Sequence, residues 1–202
     1  MSDRPIEHLE TEQKFDVSPD FVVPDLSRVV DASGVTEPEV RLLTARYFDT
    51  ADLRLAGARI TLRRRTGGTD AGWHLKLPKS AGTRREMREP LGDSETAVPA
   101  QLRSLVSEQV ADEPLQVVAV LETRRTVRNI TAPDGTILAE VADDLVSGRV
   151  PGREPDTWRE IEVELVSGGP EVLAAARSRL TAAGARISDS PSKLSRVLSR
   201  SS

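Results

Sequence analysis

The stretch HLETEQKF, residues 8–15, carries charged side chains at every second position: Glu10, Glu12 and Lys14. Successive side chains of a β-strand point to opposite faces, so this spacing puts two carboxylates and an ammonium on one face. The segment 8–17 is too short and too alternating for a helix, and we predict a strand there. What the fold does with that charged face decides both the architecture and the chemistry.

The same alternation recurs along the chain. It is found at Arg63 and Arg65; His74 and Lys76; Arg84, Glu86 and Arg88; Glu122, Arg124 and Arg128; Glu140 and Asp144; and Glu160, Glu162 and Glu164. A sheet with one solvated face explains any single strand of this kind. The signs, however, segregate by strand, and like charges side by side destabilise a sheet. We therefore expect ligands of opposite sign: metal cations for the acidic strands and a polyanion for the basic ones.

Hydrophobic periodicity and turn residues predict a mainly antiparallel α+β fold with helices outside the sheet. The segment 18–26 reads as a loop or a short helix, and the serine-rich tail from residue 188 is left open. Strands are predicted at 8–17, 41–49, 58–65, 73–78, 83–90, 116–130, 137–141 and 158–166, and helices at 94–108 and 170–183. Eight strands closed into a barrel would turn the charged faces inward, around a space wide enough for a small ligand.

The composition narrows the functional classes. The chain has 202 residues and a net charge of −4, which gives no general attraction to nucleic acid or to an anionic membrane. Cysteine is absent and only two histidines occur, so thiolate chemistry and zinc are poorly supplied. Carboxylate ligands would favour Mg²⁺, Mn²⁺ or Ca²⁺. We find no signal peptide or membrane-spanning run, and we expect a cytoplasmic protein.

A barrel lined by acids and bases is suited to a metal-bound polyphosphate, because carboxylates bind the metal and Arg and Lys bind phosphate oxygens. At this point the sequence is similar to the CYTH proteins, also called triphosphate tunnel metalloenzymes. The resemblance rests on ETEQK (10–14), YFDTADLRLAGARITLRRR (47–65), WHLKLP (73–78), RRE (84–86), ETRRTV (122–127), AEVADD (139–144), EIEVELVSG (160–168) and SKL (192–194). It implies a closed eight-stranded β-barrel tunnel with peripheral helices. We expect a single CYTH domain over 1–202, with a core of about 6–198, and a chain too short for a following CHAD domain.

The resemblance also implies an activity. CYTH proteins hydrolyse tripolyphosphate or thiamine triphosphate, act as triphosphatases on RNA ends, or cyclise ATP, with Mg²⁺ or Mn²⁺. The glutamate strand is most similar to that of bacterial inorganic triphosphatases, so we expect hydrolysis of inorganic tripolyphosphate. The alternatives are thiamine triphosphate, a nucleoside triphosphate, adenylate cyclase activity, and a non-catalytic module that binds polyphosphate or nucleotide. The expected partner is a small-molecule triphosphate, not nucleic acid or a membrane, bound by a monomer or homodimer.

The implied site residues follow from the matched motifs. Glu86 is a further ligand or an orienting group, and Glu164 would face the tunnel mouth. Lys14, with a lowered pKa, and Tyr47 are candidates for the catalytic base, although Tyr47 could equally be a packing residue. Glu122 stands where many relatives have a basic residue, so Arg125 or Arg128 could replace Arg124 as the inward arginine. The implied metal ligands are Glu10, Glu12, Asp144, Glu160 and Glu162, and the implied phosphate ligands are Lys14, Arg63, Arg65, Lys76, Arg124 and Lys193.

Overall fold

The computed structural model describes residues 6–30, 32–80 and 83–199, so the outermost ends of the predicted domain lie outside the described residues. The described strands are β1 (Ile6–Val17), β2 (Gly34–Val35), β3 (Glu39–Asp49), β4 (Thr61–Thr66), β5 (Gly72–Ser80), β6 (Thr83–Glu89), β7 (Gln116–Thr131), β8 (Ile137–Arg149), β9 (Asp156–Leu165) and β10 (Arg186–Ile187). The described helices are α1 (Arg54–Gly57), α2 (Ala100–Ser104), α3 (Ser107–Val110), α4 (Pro170–Ala182) and α5 (Lys193–Ser199). None of these helices has the length and apolar character needed to span a bilayer.

Eight antiparallel strands close into a barrel, as predicted. The order around it is β1-β6-β5-β4-β3-β7-β8-β9, and β9 pairs back with β1. The closure depends on β1, whose residues Ile6–Thr11 pair with β6 while Glu12–Val17 pair with β9. Glu10, Glu12 and Lys14 share the face of β1 that lines the barrel interior.

Three apolar clusters hold the barrel. The first packs α4 onto the outer face of β1, β8 and β9, and includes Phe15, Ile161 and Leu180. The second lies under α1, α2 and α3. The third lies at one end of the barrel interior, where Leu194 and Val197 of α5 pack with Trp158. Helix α5 therefore lies across that end of the channel.

The structure differs from two sequence predictions and decides one segment that the sequence left open. The helix expected at 94–108 is two short helices, α2 and α3, because Pro99 precedes the first helical residue and the chain turns again at Leu105–Val106. The serine-rich tail forms α5, whose buried Leu194 and Val197 supply the stabilisation that its sequence lacks. Strand β8 also extends to Arg149, well past the predicted end at 141.

The β4–β5 turn depends on Gly67. Its φ is +80°, and an added Cβ would lie 2.0 Å from the backbone oxygen of Leu42. We expect Gly67→Ala to lower the free energy of unfolding by about 2–4 kcal/mol, from left-handed strain plus the clash. Denaturant unfolding measures this. Gly57→Ala is the matched control, because no atom lies within 4 Å of its added Cβ. Equal stability of the two variants would contradict the geometry.

Candidate functional site

The barrel encloses a cavity of about 280 Å³ that opens at one end of the channel. Its side chains come from all eight barrel strands, mostly through the alternating positions seen in the sequence, with Ser192 and Lys193 added from α5 and the residue before it. Nine basic and six acidic described side chains line it, so the lining favours an anion. Most of the predicted site residues meet here: Glu10, Glu12, Lys14, Tyr47, Arg63, Arg65, Lys76, Glu162, Glu164 and Lys193.

Three carboxylates converge beside this channel, and one of them, Glu162, lines it. Asp144 on β8 and Glu160 and Glu162 on β9 each offer an oxygen within 4.8 Å of the others. The two strands bring them together because Asp144 pairs with Glu160 in the antiparallel register. We call these three residues the acidic cluster.

The acidic cluster holds a cationic group in the structure. Lys193 Nζ lies 2.8 Å from Asp144, 2.7 Å from Glu160 and 2.8 Å from Glu162. Arg125 completes the arrangement, with Nη2 at 2.7 Å from Asp144 and 2.6 Å from Glu162. Three buried carboxylates that converge on one positive group form a donor set of the kind that hard divalent cations prefer. The residues present therefore fit a Mg²⁺ or Mn²⁺ ion.

The other two predicted metal ligands lie apart from this cluster. Glu10 is ion-paired with Lys76 and lies 3.4 Å from Arg88 Nη2. Glu12 lies 2.9 Å from Lys14 Nζ. Lys14 in turn contacts Glu162, so it links Glu12 to the acidic cluster.

The structure does not favour Lys14 as the catalytic base. Burial lowers the pKa of its amine, but Glu12 and Glu162 more than offset that effect, and the net shift is upward. The expectation of a lowered pKa was therefore wrong, because the nearest neighbours of Lys14 are carboxylates and not cations. Lys14 is an ammonium that bridges acids.

Tyr47 has the opposite shift. Burial raises the pKa of its phenol, but the Arg63 guanidinium, whose Nη1 donates to the phenol oxygen at 3.4 Å, makes the net shift downward. Tyr47 is 3% exposed and lines the channel beside the basic strand β4. Of the two base candidates, Tyr47 is the one whose surroundings favour deprotonation.

Two arginines of β4 form an incompletely paired basic wall. The Nε atoms of Arg63 and Arg65 are buried and have no hydrogen-bond partner among the described residues. Burial and the neighbouring Arg63 lower the pKa of Arg65 to about 9, although Arg65 also forms an ion pair with Asp70. The repulsion between the buried guanidiniums indicates a site for an anion, and so do the N–H groups that lack partners.

The prediction that Arg124 lines the channel was wrong. Its side chain is exposed on the outer face of β7, and Arg125 lines the channel instead. The outer face of β7 carries only polar side chains over this stretch: Glu122, Arg124, Thr126 and Arg128. The inner face carries Arg125 among apolar or small residues. The mixed face, with Leu121 and Val127 on either side, was the signal that could have identified Arg125.

Glu86 is an orienting group and not a channel ligand. It is fully buried, does not line the channel, and lies 2.9 Å from His74 Nδ1 and 3.7 Å from Lys76 Nζ. It also contacts Arg88, so it fixes basic side chains that do reach the channel. His74 Nε2 lies 2.9 Å from the Asp70 carbonyl and thereby ties the β4–β5 loop to this network.

The sequence assigned a role to Glu164, whose pKa is strongly shifted, but it assigned none to several other charged residues that line the channel. Burial, followed by the nearby Glu10, raises the pKa of Glu164 to about 7, so its carboxyl is partly protonated at neutral pH. Except for Asp70, which lies in the β4–β5 loop, the missed residues lie on strands already identified, and the alternation around Glu86 was the available signal for two of them. They are Arg41, Asp70, Arg84, Arg88 and Glu140.

Comparison with known structures supports the fold. A candidate adenylate cyclase from Bacillus halodurans superposes with a TM-score of 0.57 at 18% identity, covering 94% of this chain and 97% of that one. HpAC1 from Hippeastrum, a candidate adenylyl cyclase described as having a dominant triphosphatase activity, gives 0.57 at 22%, covering 98% and 97%. The PH1819 protein from Pyrococcus horikoshii gives 0.56 at 15%, covering 95% and 99%.

Sequence comparison adds closer relatives. The uncharacterized proteins Rv2226 and MT2285, from two strains of Mycobacterium tuberculosis, are each 41% identical to this chain over 98% of its length. The match covers 42% of each relative, so the chain spans about two fifths of their length. The CYTH domain model matches residues 8–198, nearly the whole of the described barrel and its helices. The chain belongs to the CYTH domain family.

Proposed function

We propose that this protein is a metal-dependent triphosphatase that hydrolyses a phosphoanhydride bond of inorganic tripolyphosphate. The observation that carries the proposal is one closed barrel that holds both the acidic cluster, whose Glu162 lines the channel, and the incompletely paired arginines of β4. Candidate metal ligands and candidate phosphate ligands thus lie inside the same barrel. The resemblance of residues 160–168, EIEVELVSG, to the glutamate strand of bacterial inorganic triphosphatases supports this choice of substrate.

The basic residues would bind and orient the phosphate chain. Arg63 and Arg65 offer guanidinium N–H groups that lack partners, and these would pair with phosphate oxygens in place of water. Lys76 and Arg125 line the same channel and would neutralise further charge as the terminal phosphoryl group leaves. The predicted phosphate role of Lys193 fits its position, because its ammonium projects from α5 into the channel lining.

The acidic cluster, with Glu10 and Glu12 nearby, would hold Mg²⁺ or Mn²⁺. Such an ion neutralises phosphate charge and acidifies bound water when present. Tyr47 is our candidate for accepting a proton from the attacking water, because Arg63 stabilises its phenolate. Asp70, paired with Arg65 across the lining, would be displaced by a phosphate group competing for the same guanidinium.

The aromatic residues favour a substrate without an organic group. The two tryptophans, Trp73 and Trp158, are 1% and 5% exposed and pack in two apolar clusters. Tyr47 is the single aromatic side chain that lines the channel among the described residues. A purine or thiazolium ring would find little stacking surface here.

ATP is the second candidate substrate. It is favoured by the two structural neighbours that are described as candidate adenylate cyclases, one of which has dominant triphosphatase activity. The charges of the channel specify a triphosphate and would accept ATP or thiamine triphosphate with the organic group left outside. A non-catalytic polyphosphate-binding module would need the basic wall but not the acidic cluster.

A phosphate-release panel tests the proposal. Tripolyphosphate, thiamine triphosphate and ATP are each assayed with Mg²⁺, with Mn²⁺ and with chelator, and products are identified by ³¹P NMR. We expect the highest kcat/KM with tripolyphosphate, pyrophosphate and orthophosphate as products, and no turnover with chelator. Tight binding without phosphate release would instead identify a binding module, and cyclic AMP from ATP would identify a cyclase.

A further inference from the structure

A second cavity lies outside the wall of the barrel, where part of one edge of β1 has no strand partner among the described residues. On this edge β1 pairs with β6 up to Thr11–Thr83 and with β10 from Phe15–Ile187. Between these two pairs Lys14 O accepts a hydrogen bond from Ser188 N at 2.9 Å, and residues 12–13 face a break in the wall. We call this break, bounded by the Thr11–Thr83 and Phe15–Ile187 pairs, the lateral window.

The outer cavity borders the channel. It has a volume of about 380 Å³ and shares Glu12, Lys14 and Arg84 with the channel lining. These three side chains therefore border both cavities.

The window is lined for an oxyanion. Arg59 and Arg84 contribute guanidiniums, and hydroxyl groups come from Ser80, Ser188 and Ser190. Guanidinium N–H groups next to serine hydroxyls are the usual donors to phosphate oxygens in proteins.

Arg59 and Arg84 differ from most channel cations in their charge balance. Lys14, Lys76, Arg125 and Lys193 are all ion-paired with carboxylates in the channel. Among the described residues, neither Arg59 nor Arg84 has a carboxylate partner, and Arg84 donates only to the Pro191 carbonyl. Within the part of the chain that the structure describes, Arg84 at the shared wall and Arg59 at the window thus carry positive charge without an ion-pair partner.

The backbone of Arg59 supplies an independent observation. Its φ is +60°, a left-handed conformation that costs a non-glycine residue about 1 kcal/mol. Turn hydrogen bonds hold it there, from Arg59 N to Ala56 O at 3.0 Å and from Ile60 N to Leu55 O at 2.9 Å. A strained residue whose exposed, unpaired guanidinium lines a cavity is a candidate for function rather than for packing.

We propose that the lateral window is an additional oxyanion-binding subsite that takes a phosphoryl group beyond the three held in the channel. The inference rests on the proposed triphosphatase function, because it assigns the channel itself to the triphosphate. The same chemistry has two sources: the end of a linear phosphate chain longer than three units, or orthophosphate on its way out after hydrolysis.

Two measurements on the full chain separate these sources. The first is the ratio of kcat/KM for linear tetraphosphate to that for tripolyphosphate, and the second is calorimetric binding of orthophosphate without metal. We expect Arg59→Gln to lower one of these quantities, the ratio or the orthophosphate affinity, by about threefold to tenfold, as for a partly exposed charge-assisted contact. A fall in the ratio identifies the chain end, and a fall in affinity identifies the product.

The controls keep the test independent of folding and of the proposed function. Arg85→Gln removes a neighbouring arginine that points outward, 3.8 Å from Glu7, and lines none of the cavities described above, so both quantities should stay unchanged. Arg59→Lys keeps the charge and should recover part of the loss. Failure of the wild type to hydrolyse tripolyphosphate would reject the proposed function while the orthophosphate measurement still reports on the window. Wild-type behaviour of Arg59→Gln in both measurements would overturn the subsite.

Discussion

Glu162→Gln is expected to lower kcat/KM for tripolyphosphate about 100- to 1,000-fold, as for loss of a charged group at a site of transition-state stabilisation. Glu162 is the most connected carboxylate of the acidic cluster. It contacts Lys14, Lys193 and Arg125, and these three cations together hold its pKa well below the usual range despite burial. The amide keeps the shape of the side chain but removes its negative charge. Binding of a divalent cation and the ion pairs with Lys14, Lys193 and Arg125 all need that charge.

Thermal unfolding gives a readout that does not need turnover. A ligand that binds only the folded state raises the melting temperature of the protein, so Mg²⁺ or Mn²⁺ should raise the melting temperature of the wild type. The same additions should have a much smaller effect on Glu162→Gln. Glu122→Gln is the matched control, because Glu122 is exposed on the outer face of β7. Metal-dependent turnover at the wild-type level in folded Glu162→Gln would remove this carboxylate from the metal site.

The barrel could be predicted from the sequence because its strands carry a strong local signal. Period-2 alternation of charge marks a strand, and sign segregation between strands argues that the charged faces meet each other and not water. Glu10 and Lys76 illustrate this, since they are distant in sequence and ion-paired across the interior. Alternation alone does not distinguish a flat sheet from a closed barrel, and the resemblance to the CYTH proteins predicted the closed form.

The parts that could not be predicted depend on tertiary contacts. Helix α5 has a serine-rich sequence with little local preference, and it forms because Leu194 and Val197 pack against Trp158 inside the barrel end. Gly148 allows this approach, since an added Cβ would lie 2.7 Å from Val197 Cγ2. The position of Lys193 within the acidic cluster follows from that packing, and no local pattern in residues 188–199 indicates it.

The inward face of β7 was mistaken for a similar reason. Alternating charge marks a channel face where the opposite face packs against helices, as on β9, whose Ile161 and Val163 lie under α4. At Leu42, Arg124 and Leu145, adjacent strands β3, β7 and β8 expose their outer faces to solvent. Here the face with alternating charge is the outer face. Taking the charged face as the channel face is right on β9 but selects Arg124 in place of Arg125 on β7.

Arg125→Gln and Arg124→Gln are therefore expected to behave very differently, although the two residues are adjacent. Arg125 forms a two-point contact with Asp144, Nε–Oδ1 at 2.8 Å and Nη2–Oδ2 at 2.7 Å, and it also contacts Glu162. Its loss leaves buried carboxylates with fewer partners, a change that typically costs about 3–5 kcal/mol, with Lys193 as the remaining cation. We expect kcat/KM for tripolyphosphate to fall about 100-fold as well.

Arg124→Gln should change the free energy of unfolding by less than about 0.5 kcal/mol, as for an exposed surface position, and leave turnover unchanged. Arg125→Lys separates charge from geometry, because it keeps the positive charge and loses the two-point contact. Its stability and kcat/KM should fall between those of the wild type and Arg125→Gln. Denaturant unfolding and phosphate release measure both effects on the same samples. A larger loss from Arg124→Gln than from Arg125→Gln would mean that β7 presents its other face to the channel, and the contacts of Arg125 with Asp144 and Glu162 would have to be withdrawn.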